Sequence, residues 1–265
     1  MLKNANIITA IQKYFYSLPE SIFPSEIKKD ATVILSGSTG WGISEGFDEK
    51  ADWDLHILLK HDKYKYITNQ FGHDYVIDDH QNNPIVFGQI HEVDWLTERL
   101  EGGLPGSWPL YLWIYTRCKY IQDPLGIKLV IDNYQAKFKQ ELDLLRRDHF
   151  VLFSVRRLDT GSSARRGIIT ATGINRGEMV KTALQTFSLI HGEPYAYNKW
   201  LARHVEDLSP EGRSLVELCN RCLMEINLET LVDLTKALRN MMEIEMKKVT
   251  GEQRWITNWW EFNKN

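Results

Sequence analysis

Apolar positions in the first part of the chain predict one helix followed by several short strands. Ile7, Ile8, Ile11, Phe15 and Leu18 share one face at helical spacing, and a proline at 19 ends that helix. Short apolar runs over 32–35, 53–59 and 85–93 have the length of strands, as does a weaker run over 73–77. The polar stretch 78–84 has turn chemistry and predicts a hairpin. The pattern therefore indicates a small mixed sheet with flanking helices.

After the glycine-rich stretch 102–106 the periodicity becomes helical almost throughout. Candidate helices cover residues 108–121, 127–158, 177–191, 197–205, 211–225, 228–249 and 252–262. Small polar residues over 159–167 predict a flexible loop within this region. We therefore expect an α+β protein, with a sheet-containing domain over 1–125 and an α-helical bundle domain over 126–265.

Composition and charge narrow the class of protein. The 265 residues include 32 Lys and Arg against 35 Asp and Glu, which gives a net charge of -3 and disfavours a dedicated nucleic-acid binder. We find no apolar run of bilayer length and no signal-peptide pattern, so we expect a cytoplasmic protein without a membrane partner. Three cysteines in a chain of this length argue against a disulfide framework.

The most informative chemistry lies in a glycine-rich turn and in two closely spaced aspartates. Gly37 and Ser38 follow the strand predicted over 32–35, and Asp52 and Asp54 open the next predicted strand. Carboxylates at i and i+2 of a strand point to the same face, about 6–7 Å apart, where they can hold a pair of magnesium ions. A glycine without a Cβ lets the backbone approach phosphate, and the Ser38 hydroxyl and amide can donate to phosphate oxygens.

Other motifs with glycines or acids in this region do not fit. The glycines at 37 and 42 have Walker A spacing and Ser44 stands at its Ser/Thr position, but Ile43 occupies the position of its lysine, so no lysine reaches the terminal phosphates. The acids at 48–54 lack the central glycine and closing glutamate of a calcium loop. Trp95 stands where a zinc-protease HExxH motif beginning at His91 would need its second histidine.

Gly37-Ser38 followed by Asp52-x-Asp54 resembles the signature of the DNA polymerase β-like nucleotidyltransferase superfamily, in particular its aminoglycoside and related antibiotic nucleotidyltransferases. The resemblance implies a nucleotidyltransferase domain over 1–125 and a third carboxylate on an adjacent strand. Glu92 is the expected third acid, as metal ligand and possible base, with Asp94 two residues on as the fallback.

The helical half also resembles stretches that follow the sheet domain in that family. These are 118–126 and 195–201, where a lysine precedes a tryptophan. The resemblance implies that Lys199 contacts the triphosphate and that the helical half binds the substrate.

The function implied is magnesium-dependent transfer of AMP, or another nucleoside monophosphate, from a triphosphate such as ATP. The expected acceptor is a hydroxyl of a small molecule such as an aminoglycoside, and the protein would act as a monomer or homodimer. Two alternatives remain: an adenylyltransferase acting on a protein hydroxyl, and a nucleotide-binding relative without catalysis. Two departures from the family's motif favour the second alternative. They are the long interval between Ser38 and Asp52 and the alanine at 51 in place of the family's serine.

Six arginines of the helical half form a further candidate set. They could line a triphosphate-binding cleft, although arginines spread over helices more often form surface ion pairs. The set consists of Arg146, Arg147, Arg156, Arg157, Arg165 and Arg166.

Overall fold

The computed structural model describes residues 4–41, 52–102 and 108–263. The chain forms two compact units, Met1–Ala136 and Lys137–Asn265. The sheet lies in the first unit, and the second unit is built from helices. The expected α+β class, with a mixed sheet near the N-terminus and helices after it, is confirmed.

The first unit contains a five-stranded sheet and its flanking helices. The strand order is β3-β4-β2-β1-β5, in which β2 and β4 are parallel and the other neighbours are antiparallel. In chain order the elements are α1 (Asn4–Ser17), α2 (Ser25–Asp30), β1 (Thr32–Ser36), α3 (Gly37–Gly40), β2 (Trp53–Leu59), α4 (His61–Phe71), β3 (Tyr75–Asp79), β4 (Val86–Glu92), α5 (Val93–Glu101), α6 (Trp108–Arg117), β5 (Lys119–Gln122) and α7 (Ile127–Arg165), which continues into the second unit.

Strand β1 is buried along its whole length because both faces of the sheet are covered. Val33 and Leu35 belong to the core cluster that includes Phe15 of α1. Ile34 points to the other face and is equally buried. A strand buried on both sides is continuously apolar rather than alternating, which explains the sequence pattern over 32–35.

The strands predicted over 32–35, 53–59, 73–77 and 85–93 are present, and β3 and β4 form the predicted hairpin. In the hairpin turn, Asp79 Oδ1 accepts hydrogen bonds from the amides of Gln81 and Asn82. The helix predicted over 108–121 is too long. It ends at Arg117, because Lys119 and Tyr120 pair with β1 as part of β5.

The second unit consists of the remainder of α7 and the helices that follow it. They are α8 (Ile169–Ile190), α9 (Asn198–Leu208), α10 (Pro210–Met224), α11 (Leu228–Thr250), α12 (Arg254–Thr257) and a 3₁₀ turn (Trp259–Glu261). The single helix predicted over 252–262 is thus two short pieces. No helix among the described residues is long and apolar enough to cross a membrane.

The predicted loop over 159–167 is wrong, because α7 continues to Arg165. Thr160 and Ser163 are buried, and their hydroxyls donate to the carbonyls of Arg156 and Asp159 inside the helix. Their polarity is therefore satisfied within the helix and does not end it. The turn comes only at Gly167, whose φ is +68°.

Candidate active site at the junction of strands β1 and β2

The antiparallel register of β1 and β2 joins the glycine turn to the aspartates. Ser36, the last residue of β1, is opposite Asp54, the second residue of β2. The Ser36 hydroxyl donates to the Asp54 carbonyl at 3.3 Å, and the Thr39 hydroxyl donates to the Asp52 carbonyl at 3.2 Å. The short helix α3, which carries Ser38, begins immediately after Ser36. Two segments separated in sequence therefore form one site.

Two glycines of α3 are required by close approaches. Gly37 has φ +67°, and a Cβ there would overlap Asp54 Oδ2 and lie 3.0 Å from Asp54 Cγ. A Cβ at Gly40 would overlap the carbonyl oxygen of Leu35. The Asp54 carboxylate thus occupies the space that a side chain at 37 would fill.

Asp52 and Asp54 lie at the N-terminal end of β2, and both are half-buried. Asp54 belongs to the strand, and Asp52 immediately precedes it. Ser38, the other member of the predicted phosphate-binding pair, is half-buried in α3. Gly37 is thus in contact with the Asp54 carboxylate, Ser38 follows it in α3, and Asp52 lies two residues before Asp54.

Lys119 is a residue of this site that the sequence analysis did not select. It is the first residue of β5, where it pairs with Leu35 of β1. Its ammonium group donates to the Thr39 carbonyl at 3.1 Å and so holds the C-terminal side of the glycine turn. Lys119 lies in the 118–126 stretch that the sequence analysis noted, but its place beside the glycine turn follows only from the pairing of β5 with β1.

An aromatic contact borders the turn. Trp41, which follows α3, packs edge-on against Trp113 with ring centroids 5.0 Å apart, and the Arg117 guanidinium lies 5.4 Å from the Trp113 ring. Burial raises the pKa of Cys118 to about 12. Cys118 is therefore a neutral thiol and not a nucleophile at neutral pH.

The structure does not bring Glu92 to the two aspartates. Glu92 is the last residue of β4 and pairs with Leu59, five residues along β2 from Asp54, which is about 16 Å at the usual rise. Because Asp54 pairs with Phe87, the odd offset also places Glu92 on the opposite face of the sheet. Glu92 Oε1 instead lies 2.8 Å from His61 Nδ1.

Asp94, the alternative to Glu92, does not supply the third carboxylate. It lies in the first turn of α5, beyond the end of β4, and is exposed. The expectation of three carboxylates at one site is therefore corrected to a pair, Asp52 and Asp54. Among the residues described, no group of three or more His, Cys, Asp or Glu side chains is arranged to hold a metal ion.

Two histidines lie on the same face of the sheet as Asp54 and pack as a neutral stack. The rings of His56 and His91 are 5.0 Å apart, His91 stacks on Trp95 at 4.1 Å, and the Tyr115 hydroxyl lies 3.1 Å from His56 Nδ1. Burial lowers the pKa of His56 to about 4. Burial, with smaller effects of His56 and Arg99, lowers the pKa of His91 to about 3. Both histidines are uncharged at neutral pH and add no positive charge beside the carboxylates.

Lys199 lies in the second unit, in the first turn of α9, and is exposed. Its ammonium group lies 5.3 Å from the centroid of the adjacent Trp200 ring. A contact between Lys199 and a triphosphate stays a prediction.

Comparison with known proteins leaves the family open. No family model and no curated protein match the chain. A solved structure described as a nucleotidyltransferase-like protein from Exiguobacterium sibiricum 255-15 is similar at 11% identity and a TM-score of 0.47, with 98% of this chain and 81% of that chain covered.

Proposed function

We propose that the chain is a nucleotidyltransferase that moves a nucleoside monophosphate from a nucleoside triphosphate, with ATP as the first candidate, to a hydroxyl of a small molecule. The carrying observation is the contact between Gly37 and the Asp54 carboxylate. It supports the proposal because a glycine turn whose backbone can approach phosphate lies beside a carboxylate of the kind that binds magnesium.

The residues present fit magnesium. Magnesium is usually bound through one or two carboxylates together with substrate phosphates, so Asp52 and Asp54 form a sufficient protein set. The missing Cβ at Gly37 leaves room for the Asp54 carboxylate, so the acid lies in direct contact with the backbone of the turn. Bound magnesium would neutralise phosphate charge and favour ionisation of the acceptor hydroxyl.

The chain's own residues would position the triphosphate. Ser38 and the amides of α3 would donate to the phosphate oxygens, and Lys119 would keep the turn in place through Thr39. The acceptor oxygen forms a bond to the α-phosphorus, the bond from that phosphorus to the β-phosphate bridging oxygen breaks, and pyrophosphate leaves. The hydroxyl proton passes to water.

An assay of pyrophosphate release tests the proposal. The parent protein is incubated with ATP, magnesium and a panel of acceptors that includes aminoglycosides, and is compared with Asp54→Asn and with the control Asp132→Asn, an exposed acid of α7. We expect Asp54→Asn to slow release by at least about 100-fold, in line with loss of a group that stabilises transition-state charge, and the control to match the parent. Equal rates for the parent and Asp54→Asn would refute the assignment.

The same experiment separates the two alternatives. The position of Glu92 away from Asp54 is the observation that favours a nucleotide-binding relative without catalysis. Magnesium-dependent ATP binding by calorimetry, with no pyrophosphate released on any acceptor, would establish that alternative. Pyrophosphate release only in the presence of a protein acceptor would establish the other.

A further inference from the structure

A face of α7 in the second unit carries two arginines separated by a glycine. Arg157, Gly161 and Arg165 are spaced at i, i+4 and i+8 and therefore share one side of the helix. A Cβ at Gly161 would lie 3.5 Å from Arg165 Nη1 and 3.9 Å from the Thr235 hydroxyl of α11. The Arg165 side chain thus extends back along the helix to Gly161, which brings its guanidinium toward Arg157.

A third arginine comes from α11, one turn after Thr235. Arg239 donates through Nη1 to Glu243 at 2.7 Å and through Nη2 to the Ile256 carbonyl at 2.5 Å, and its guanidinium lies 4.7 Å from the Phe150 ring centroid. These contacts fix its position. We call Arg157, Arg165 and Arg239 the guanidinium cluster.

The cluster has more positive charge than its surroundings neutralise. Glu243 pairs with Arg239 but also with Lys247 at 2.9 Å. Within the described ranges, Arg157 and Arg165 take part in no ion pair, and Arg157 Nε is buried without a hydrogen-bond acceptor. Burial, and then the charge of Arg165, lower the pKa of Arg157, and the charge of Arg157 acts in the same direction on Arg239. Arginine stays protonated in proteins, so this repulsion persists in the folded chain.

We propose that the guanidinium cluster binds a phosphate group, with Arg157 and Arg165 as the principal donors and Arg239 as a fixed positive charge beside them. A guanidinium presents a planar fork of N–H donors that matches phosphate oxygens, and two such groups can bind one phosphate from two directions. Inorganic phosphate and a phosphate ester present the same oxygens to the cluster, and the probes below distinguish the two.

The proposal uses residues of α7 and α11 and none of the residues assigned above to the transfer reaction. Asp54→Asn, which removes the proposed catalytic carboxylate, should leave phosphate binding at the cluster unchanged. A failure of one proposal therefore does not carry over to the other.

Titration calorimetry on the full chain tests the site with inorganic phosphate, pyrophosphate and AMP, without magnesium and at an ionic strength held constant with sodium chloride. The variants are Arg157→Gln and Arg165→Gln, and the control is Arg213→Gln, an exposed arginine of α10. We expect each cluster variant to weaken phosphate or pyrophosphate binding at least roughly tenfold, as loss of a charge-assisted hydrogen bond would. The control should bind like the parent.

Arg165 is exposed at the end of α7, so its variant keeps the test valid if Arg157→Gln does not fold. Tighter binding of AMP than of inorganic phosphate, with the same dependence on the arginines, supports the site and identifies a phosphate ester as its ligand. The proposal is overturned if the parent binds none of the three probes, or if the cluster variants bind them as tightly as the control.

Discussion

Gly37 lies against the side chain of Asp54, so that a Cβ at position 37 would overlap the Asp54 carboxylate. We expect Gly37→Ala to reduce both pyrophosphate release and stability. Gly72→Ala is a matched control, because Gly72 has a similar φ of +74° but nothing within 4 Å of a built Cβ. Gly72→Ala should lower the free energy of unfolding by about 1 kcal/mol, the cost of placing alanine at a positive φ. Gly37→Ala should lower it further, because its Cβ would also overlap Asp54. Equal losses in chemical denaturation would show that Asp54 does not confine position 37.

Lys119 acts on the site through the backbone of the glycine turn. Replacing it in Lys119→Gln removes the charged donor to the Thr39 carbonyl, and we expect a loss of about 1–3 kcal/mol in stability together with a raised KM for ATP. Lys29→Gln, at an exposed lysine of α2, is the control. An unchanged KM in the Lys119 variant would argue against its role in positioning the turn.

The position of Glu92 predicts a clear difference between acids. Because Glu92 lies beside His61, on the face of the sheet opposite Asp54, Glu92→Gln should slow pyrophosphate release much less than Asp54→Asn does. Steady-state rates of the two variants, measured side by side, decide the point. A comparable loss of rate in both variants would show that Glu92 takes part in the reaction.

The sequence contained enough information to place the turn and the aspartates but not Glu92. Gly37 could be expected beside Asp54 because Gly37 follows β1, and the end of β1 must lie near the start of an antiparallel β2. The face on which Glu92 lies depends on the register between β2 and β4, and a shift of one residue reverses it. No local pattern specifies such a register.

Strand β5 and the end of α7 show two other limits of the sequence pattern. Four residues beginning at Lys119 form a strand only because the edge of β1 is available for pairing, so the role of Lys119 depended on tertiary structure. The small polar residues after 158 have loop composition, but the hydroxyls of Thr160 and Ser163 are satisfied by carbonyls of α7 itself. Composition alone does not distinguish that arrangement from a loop.

The stack of His56 and His91 predicts acid sensitivity of the fold. Their pKa values are near 4 and 3 in the folded protein against 6.5 for ordinary histidine, so the unfolded chain binds more protons below pH 6.5. Their contribution to stability is complete above pH 6.5 and is lost as the pH falls toward 4, by roughly 2 kcal/mol for each histidine at pH 5.

Chemical denaturation between pH 7.5 and 4.5 measures this effect in the parent and in His91→Phe. The variant keeps an aromatic ring on Trp95 and removes one titrating group. Its stability should therefore fall less steeply with acidification than that of the parent. Identical slopes would show that His91 does not contribute through its protonation.

Two buried helical glycines should respond to alanine in opposite directions. A Cβ at Gly161 of α7 would make only ordinary contacts of 3.5–3.9 Å, so Gly161→Ala should gain the helix propensity of alanine, about 0.5–1 kcal/mol. A Cβ at Gly212 of α10 would overlap the Val205 carbonyl oxygen, so Gly212→Ala should destabilise the protein despite the same gain in propensity. Urea denaturation of the two variants and the parent measures both effects. Stabilisation by both substitutions would show that α10 can move away from Val205, and destabilisation by both would show that the space beside Arg165 and Thr235 is closed to a methyl group.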